Sequence, residues 1–204
     1  MQIMLYHGTS AKHVAAILEK GILPRQSAHG TWTETVDSRH DSVYLTSCYA
    51  LFYAVYAAKK DDVAIFEIDL GKLNKKKMLP DEDFLEQAMR SQFPSIMSMK
   101  ERTEHLRNTL PKYRRHWTKS LEHLGTVAHQ GIVPRKAITR YAIVDKKTAV
   151  RLIIQAHDPC ITLMNHLIMG AKHHQFHQWL FGDAPDFDPE HHLQRTGIEI
   201  ISSF

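Results

Sequence analysis

Leu5-Tyr6-His7-Gly8-Thr9-Ser10, followed by Gly21-Ile22-Leu23-Pro24 and then by Val43-Tyr44-Leu45-Thr46, is the stretch that decides how this chain folds. Residues 3 to 6 are apolar and lead into a histidine, and Gly8 lets the backbone turn and leaves room for a ligand. Ser10 is suited to cap a helix over about residues 11–20, where Val14, Ile17 and Leu18 form an apolar stripe and Gly21 supplies the stop. Val43 to Thr46 reads as a second short strand of β-favouring residues, running into a helix that carries Ala50, Tyr53, Ala54 and Ala57. The resulting order is strand, histidine, helix, strand, tyrosine, helix.

That order resembles the ADP-ribosyltransferase superfamily, in its histidine-tyrosine branch. The residues that carry the resemblance are His7-Gly8-Thr9, the Gly21-Ile22-x-Pro24 that closes the first helix, and Tyr44 with the following Ala50-x-x-Tyr53-Ala54. The resemblance implies an α+β fold built on a split β-sheet core, with NAD as co-substrate. It also assigns roles: His7 holds the nicotinamide ribose, the Gly8 backbone pairs with the nicotinamide amide, and Tyr44 stacks on the nicotinamide ring. Thr9 and Tyr53 join them among the NAD-binding positions. Such a clamp distorts NAD and stabilises an oxocarbenium-like centre as nicotinamide leaves.

The same family usually adds a glutamate at the start of a later strand. The matching segment here is Gly125-Thr126-Val127-Ala128-His129-Gln130-Gly131-Ile132-Val133-Pro134, followed by a strand from Ala137 to Val144. Spacing back from Ile132-Val133-Pro134 puts Thr126 in the glutamate's place, with Glu122, His129 and Gln130 as nearby candidates for the third catalytic role. Alternation along a strand sets Thr126, Ala128 and Gln130 on one face. The polar loop from Arg25 to Asp41 falls where the resembled family covers NAD, so Arg25 or Arg39 is a candidate clamp for the pyrophosphate.

The 204 residues suit one domain, with a helical insertion at about 81–123 and a helical C-terminal extension at about 146–204. Hydrophobic residues make up 43% and charged residues 24%, an ordinary globular balance. No apolar run approaches the roughly 18 residues that a membrane span needs. With no signal-like N-terminus either, the expectation is a soluble, cytoplasmic protein with no membrane partner. Cys48 and Cys160 form neither a disulfide framework nor a metal cluster and read as buried, reduced thiols.

A net charge of +4 leans toward an anionic partner. Between Arg90 and Lys119 the eight residues Arg90, Lys100, Arg102, Arg107, Lys112, Arg114, Arg115 and Lys119 face only Glu101 and Glu104. Tyr113 and Trp117 lie four apart among them. They are either turned into the core beneath a solvated face or open to stack on nucleic-acid bases.

Val63 to Leu70 reads as a strand in which Glu67 and Asp69 mark the solvent side or a sheet edge. Lys75-Lys76-Lys77 is a solvated loop. Asp81, Glu82 and Asp83 read as the first turn of a helix, where carboxylates complement the dipole. Helices are expected over 82–92, 95–109 and 112–123, broken at Pro94 and Pro111. Such an insertion would stand beside the NAD cleft, where an acceptor is chosen.

Further on, helices are expected at 148–155 and 161–181, and an edge strand at 197–201. His173 and His177 share a helical face, yet no glutamate stands between them as a metalloprotease requires, and no metal is expected.

Three functions follow from these readings. The first is a mono-ADP-ribosyltransferase acting on a macromolecule, with RNA or DNA favoured over protein; by analogy with the family it would be a toxin or phage effector, with a neutralising antitoxin as possible partner. The second is a binding module for NAD, ADP-ribose or RNA that performs no chemistry. The third is an enzyme like the NAD-dependent RNA 2'-phosphotransferases, which would need Arg25, Arg39 and His40 to converge in the cleft.

Overall fold

The computed structural model describes residues 3–25, 38–93, 97–157, 177–183 and 197–202. Within these residues the chain is α+β: one antiparallel sheet of seven strands, in the order β4-β5-β2-β1-β3-β6-β7, with helices on both faces. The strands are β1 (Met4–Ser10), β2 (Ser42–Thr46), β3 (Val63–Asp69), β4 (Met78–Pro80), β5 (Thr126–Gln130), β6 (Ile138–Val144) and β7 (Ile198–Ile201). The helices are α1 (Val14–Lys20), α2 (Ala50–Ala58), α3 (Glu82–Met89), α4 (Met99–Tyr113), α5 (Trp117–Leu124) and α6 (Lys146–His157).

Side chains alternate across the sheet, so each central strand feeds two cores. On one face Leu5, Leu45, Phe66, Ile68 and Val127 pack beneath α1, with Trp117 and Leu121 of α5 against them. On the other, Tyr6, Val63, Ile65, Ala142 and Val144 pack against α2, α6 and the 179–181 segment. A third, smaller core of Leu79, Leu85, Met89, Leu106 and Leu110 joins the helical insertion to Ala128 of β5.

The sheet divides at its middle. β1 pairs with β3 over its whole length, from Met4↔Asp69 to Ser10↔Val63, but with β2 at the single position Tyr6↔Thr46. Beyond that pair the two strands splay apart, and the His7 side chain takes over where the backbone ladder stops.

Several expectations change in the structure. Ser10 makes no side-chain cap; its hydroxyl donates to Asp61 Oδ2 at 2.9 Å, and the segment opens with a 3-10 turn at Ala11–His13 before α1. Gly21 does end that helix, at φ 81°, and the Val133 carbonyl passes so close that a Cβ would meet it at 2.4 Å. Glu67 and Asp69 are buried rather than solvent-facing, because β3 is covered on both faces. Glu67 is held by Arg140 through Nε–Oε1 at 3.0 Å and Nη2–Oε2 at 2.7 Å, whereas Asp69 accepts the Gly71 N–H at 2.7 Å.

Pro111 does not break its helix. It falls in the last turn of α4, where the missing N–H costs a single helical bond, and the break comes at the 3-10 turn Arg114–His116. Tyr113 and Trp117 are half-buried against the insertion core and the sheet core respectively. β7 pairs with β6 at the edge of the sheet as expected. Cys48 is a buried thiol; Cys160, His173 and most of the helix expected at 161–181 lie outside the described residues. No helix among the described residues is long and apolar enough to cross a membrane.

Candidate active site

A cleft of about 740 Å³ opens where β1 and β2 part, within the size range of small-molecule sites. Its lining includes His7, Gly8 and Thr9 from β1, Arg25 from the segment after α1, Arg39 from the segment before β2, and Tyr44 from β2. Tyr53 of α2, Thr126 of β5 and the run Asp81-Glu82-Asp83 also line it.

His7 is fixed by the splay. Its Nδ1 lies 3.0 Å from the Tyr44 carbonyl. A carbonyl oxygen only accepts, so Nδ1 carries the proton and Nε2 is left as an acceptor. Burial pushes the ring's pKa down and keeps it neutral, in the form that accepts a hydroxyl proton. Gly8 is required by packing: a Cβ there would sit 1.9 Å from the Ala50 carbonyl oxygen, because the start of α2 crosses β1 at this point.

Tyr44 is held at both ends. Its carbonyl is engaged by His7, and its hydroxyl accepts the Arg39 backbone N–H at 2.7 Å while donating to Glu82 Oε2 at 2.6 Å. The ring is therefore clamped before any ligand arrives. Tyr53 on α2 is half-buried, and desolvation raises its pKa well above the ordinary phenol value.

The two arginines differ. Arg39 is engaged by Asp41 in a bidentate pair, Nε–Oδ1 and Nη2–Oδ2 both at 2.8 Å, and that guanidinium holds the Asp41 carboxyl far below its usual range. Arg25 donates Nη2 to the Ser38 carbonyl at 2.8 Å, but its Nε is buried with no partner among the described residues. An unpaired buried guanidinium N–H is a donor that a phosphate oxygen would satisfy.

Of the residues singled out in the sequence, His7, Gly8, Thr9, Arg25, Arg39, Tyr44, Tyr53 and Thr126 all line the cleft, whereas His129 and Gln130 do not. The strand alternates as expected, but the insertion covers the face beyond Thr126: Ala128 is sealed into its core, and Gln130 bridges Asp41 at 2.9 Å and Arg114 at 3.1 Å. His129 falls on the opposite face, buried, with Nδ1 3.4 Å from the Gly131 carbonyl. His40 is exposed and outside the cleft lining.

The carboxylates Asp81, Glu82 and Asp83 reach the cleft although their sequence context points only to a helix start. β4 pairs with β5 so that Pro80 stands opposite Val127, and the residues after Pro80 arrive beside Thr126. Asp81 caps α3 by accepting the Asp83 N–H at 2.9 Å, so the dipole role read from sequence holds for it. Burial comes with that position. It raises the Asp81 pKa, and together with the neighbouring Asp81 it lifts Glu82 to about 8. The short strand Met78-Leu79-Pro80 is the signal that matters; nothing local shows that it pairs with β5.

No protein-family model matches the chain, and no curated protein does. Among solved structures, one named EcPltA superposes with a TM-score of 0.38 at 12% identity, over 72% of this chain and 80% of its own. A likeness that distant carries no argument about chemistry.

Proposed function

We propose that the chain is an NAD-dependent mono-ADP-ribosyltransferase with an ADP-ribosyltransferase-like fold, and that its acceptor is a nucleic acid. The observation that carries this reading is the convergence of a neutral His7, the side-chain-free Gly8 and a doubly anchored Tyr44 on one cleft at the point where the sheet divides. His7 Nε2 offers an acceptor to a ribose hydroxyl, the Gly8 backbone can be approached closely, and the Tyr44 ring presents a fixed surface to a planar base. Arg25, with its unpaired Nε, fits a pyrophosphate. NAD supplies the activated anomeric carbon, and the chain's own residues orient it and exclude water.

Nucleic acid is favoured by charge. Lys75, Lys76 and Lys77 are exposed, and the turn Arg114–His116 is tied to them by a hydrogen bond from the Arg114 guanidinium to the Lys76 carbonyl. Lys112, Arg115 and Lys119 are exposed around that turn, giving a basic face that would attract phosphates. The same Arg114 reaches Gln130, which is bonded to Asp41, the partner of the cleft-lining Arg39.

The test is incubation with NAD labelled on its adenylate, in the presence of RNA, single-stranded DNA, duplex DNA or cell protein. The reading predicts label on a nucleic acid. Thr126, standing where the resemblance has a glutamate, favours a second reading, a binding module that performs no chemistry; NAD binding without nicotinamide release would support it.

A further inference from the structure

Glu82 is a buried carboxyl that the chain itself only half uses. It is the first residue of α3, with 2% of its surface exposed, and it lines the cleft. Oε2 accepts the Tyr44 hydroxyl at 2.6 Å. Oε1 is buried with no hydrogen-bond partner among the described residues. Native structures rarely leave such an oxygen unpaired, and a group on a bound ligand is the partner that the cleft can supply. The position is also telling. Pairing of β4 with β5 brings Asp81 and Glu82 to the start of β5, beside the Thr126 that lacks a carboxyl.

We propose that Glu82 takes the proton from the acceptor during transfer, so that the carboxyl absent from β5 is delivered instead by the first residue of α3. The inference rests on ADP-ribosyl transfer being the reaction of the cleft. In that step the bond from the anomeric carbon to the nicotinamide nitrogen breaks, and its electron pair leaves with neutral nicotinamide. A lone pair on an acceptor oxygen or nitrogen forms the new bond to that carbon. The acceptor's proton passes to Glu82 Oε1 and from there to solvent; nothing is oxidised or reduced.

The groups that face Glu82 set its poise. Tyr44 faces it from β2, Arg39 from the segment before β2, and Asp81 from the cap of α3, with Asp83 next to Asp81. Burial, then the Asp81 charge, pushes the carboxyl up to about 8, against the lowering effects of the Tyr44 hydrogen bond and of Arg39. The proton-accepting form therefore grows as pH rises through that value, and a base poised near the working pH is an effective one.

Glu82→Gln preserves shape and leaves an oxygen for the Tyr44 hydroxyl, and its folding is checked by thermal unfolding. Two readouts are needed: nicotinamide release with RNA present from pH 6 to 9.5, and NAD binding by calorimetry near pH 8. In E82Q, turnover should fall roughly 10²–10⁴-fold and the alkaline rise near pH 8 should vanish. NAD affinity should stay within about threefold of wild type, since the lost interaction belongs to the transfer step. Glu82→Asp should recover part of the turnover. An E82Q protein that binds and turns over NAD with the wild-type pH profile overturns the assignment alone. A wild-type chain that binds no NAD overturns the transferase reading and the assignment with it, so the binding readout separates the two failures.

Discussion

The Tyr44 hydroxyl donates to Glu82 Oε2 across 2.6 Å, joining a central strand to the first residue of the helical insertion. That bond lowers the Glu82 pKa, and burial raises it. Tyr44→Phe keeps the ring and removes the bond. Glu82 should then hold its proton to higher pH, and the alkaline limb of nicotinamide release should move upward while NAD affinity changes little. A pH profile of Y44F against wild type checks this; an unmoved limb would mean that Glu82 does not set it.

The buried carboxyl of Glu82 should leave a mark on stability. In the unfolded chain Glu82 ionises near its ordinary value of 4.5, and in the folded chain near 8. Between those values the folded state binds more protons, so stability falls as pH rises through the window and the penalty is complete above about 8. Each pKa unit corresponds to about 1.4 kcal/mol, an upper bound for a site that can relax. E82Q should therefore melt above wild type at pH 8.5, with the gap closing toward pH 5 in thermal unfolding.

Gly8 tests the packing of β1 under α2. A Cβ placed 1.9 Å from the Ala50 carbonyl oxygen cannot be accommodated unless strand and helix separate. Gly8→Ala should lower stability by about 2–3 kcal/mol, read from urea unfolding. It should also weaken NAD binding, because the same separation would widen the cleft.

Arg140 tests the far side of the sheet. It neutralises the buried Glu67, reaches Asp183, and lies over the Phe181 ring at 4.7 Å. Arg140→Met would leave the Glu67 carboxylate buried and unpaired, at a cost of about 3–5 kcal/mol. Hydrogen exchange should show faster opening at 177–183, where those contacts end. Glu67→Gln combined with Arg140→Met should recover part of the loss.

The elements with strong local signals are legible in the chain. The turn at Gly21, the strands around His7 and Tyr44, and the edge strand near 198–201 follow from short-range chemistry. Residues whose role depends on what covers them are not. Glu67 reads as marking the solvent side or a sheet edge because it is a polar residue on an apolar strand, whereas it is buried in a long-range pairing with Arg140, which in turn reaches Asp183. Ser98 and Glu101 form a full capping box ahead of α4, a start signal that the proline at position 94 overshadows in the sequence. Glu82 resembles a dipole-stabilising surface acid, and it joins the cleft through pairing of β4 with the distant β5. His129 and Gln130, close to Thr126 in sequence, are kept from the cleft by the opposite face of the strand and by the insertion.

The most direct test of the central claim is nicotinamide release from NAD by the wild-type chain, beside His7→Ala and Tyr44→Ala. The account predicts measurable release from the wild type that falls at least about a hundredfold in each variant, because on the proposed reading both residues would hold the half of NAD that breaks. Release that survives both substitutions, or that is absent from a wild-type chain with NAD bound, would contradict it.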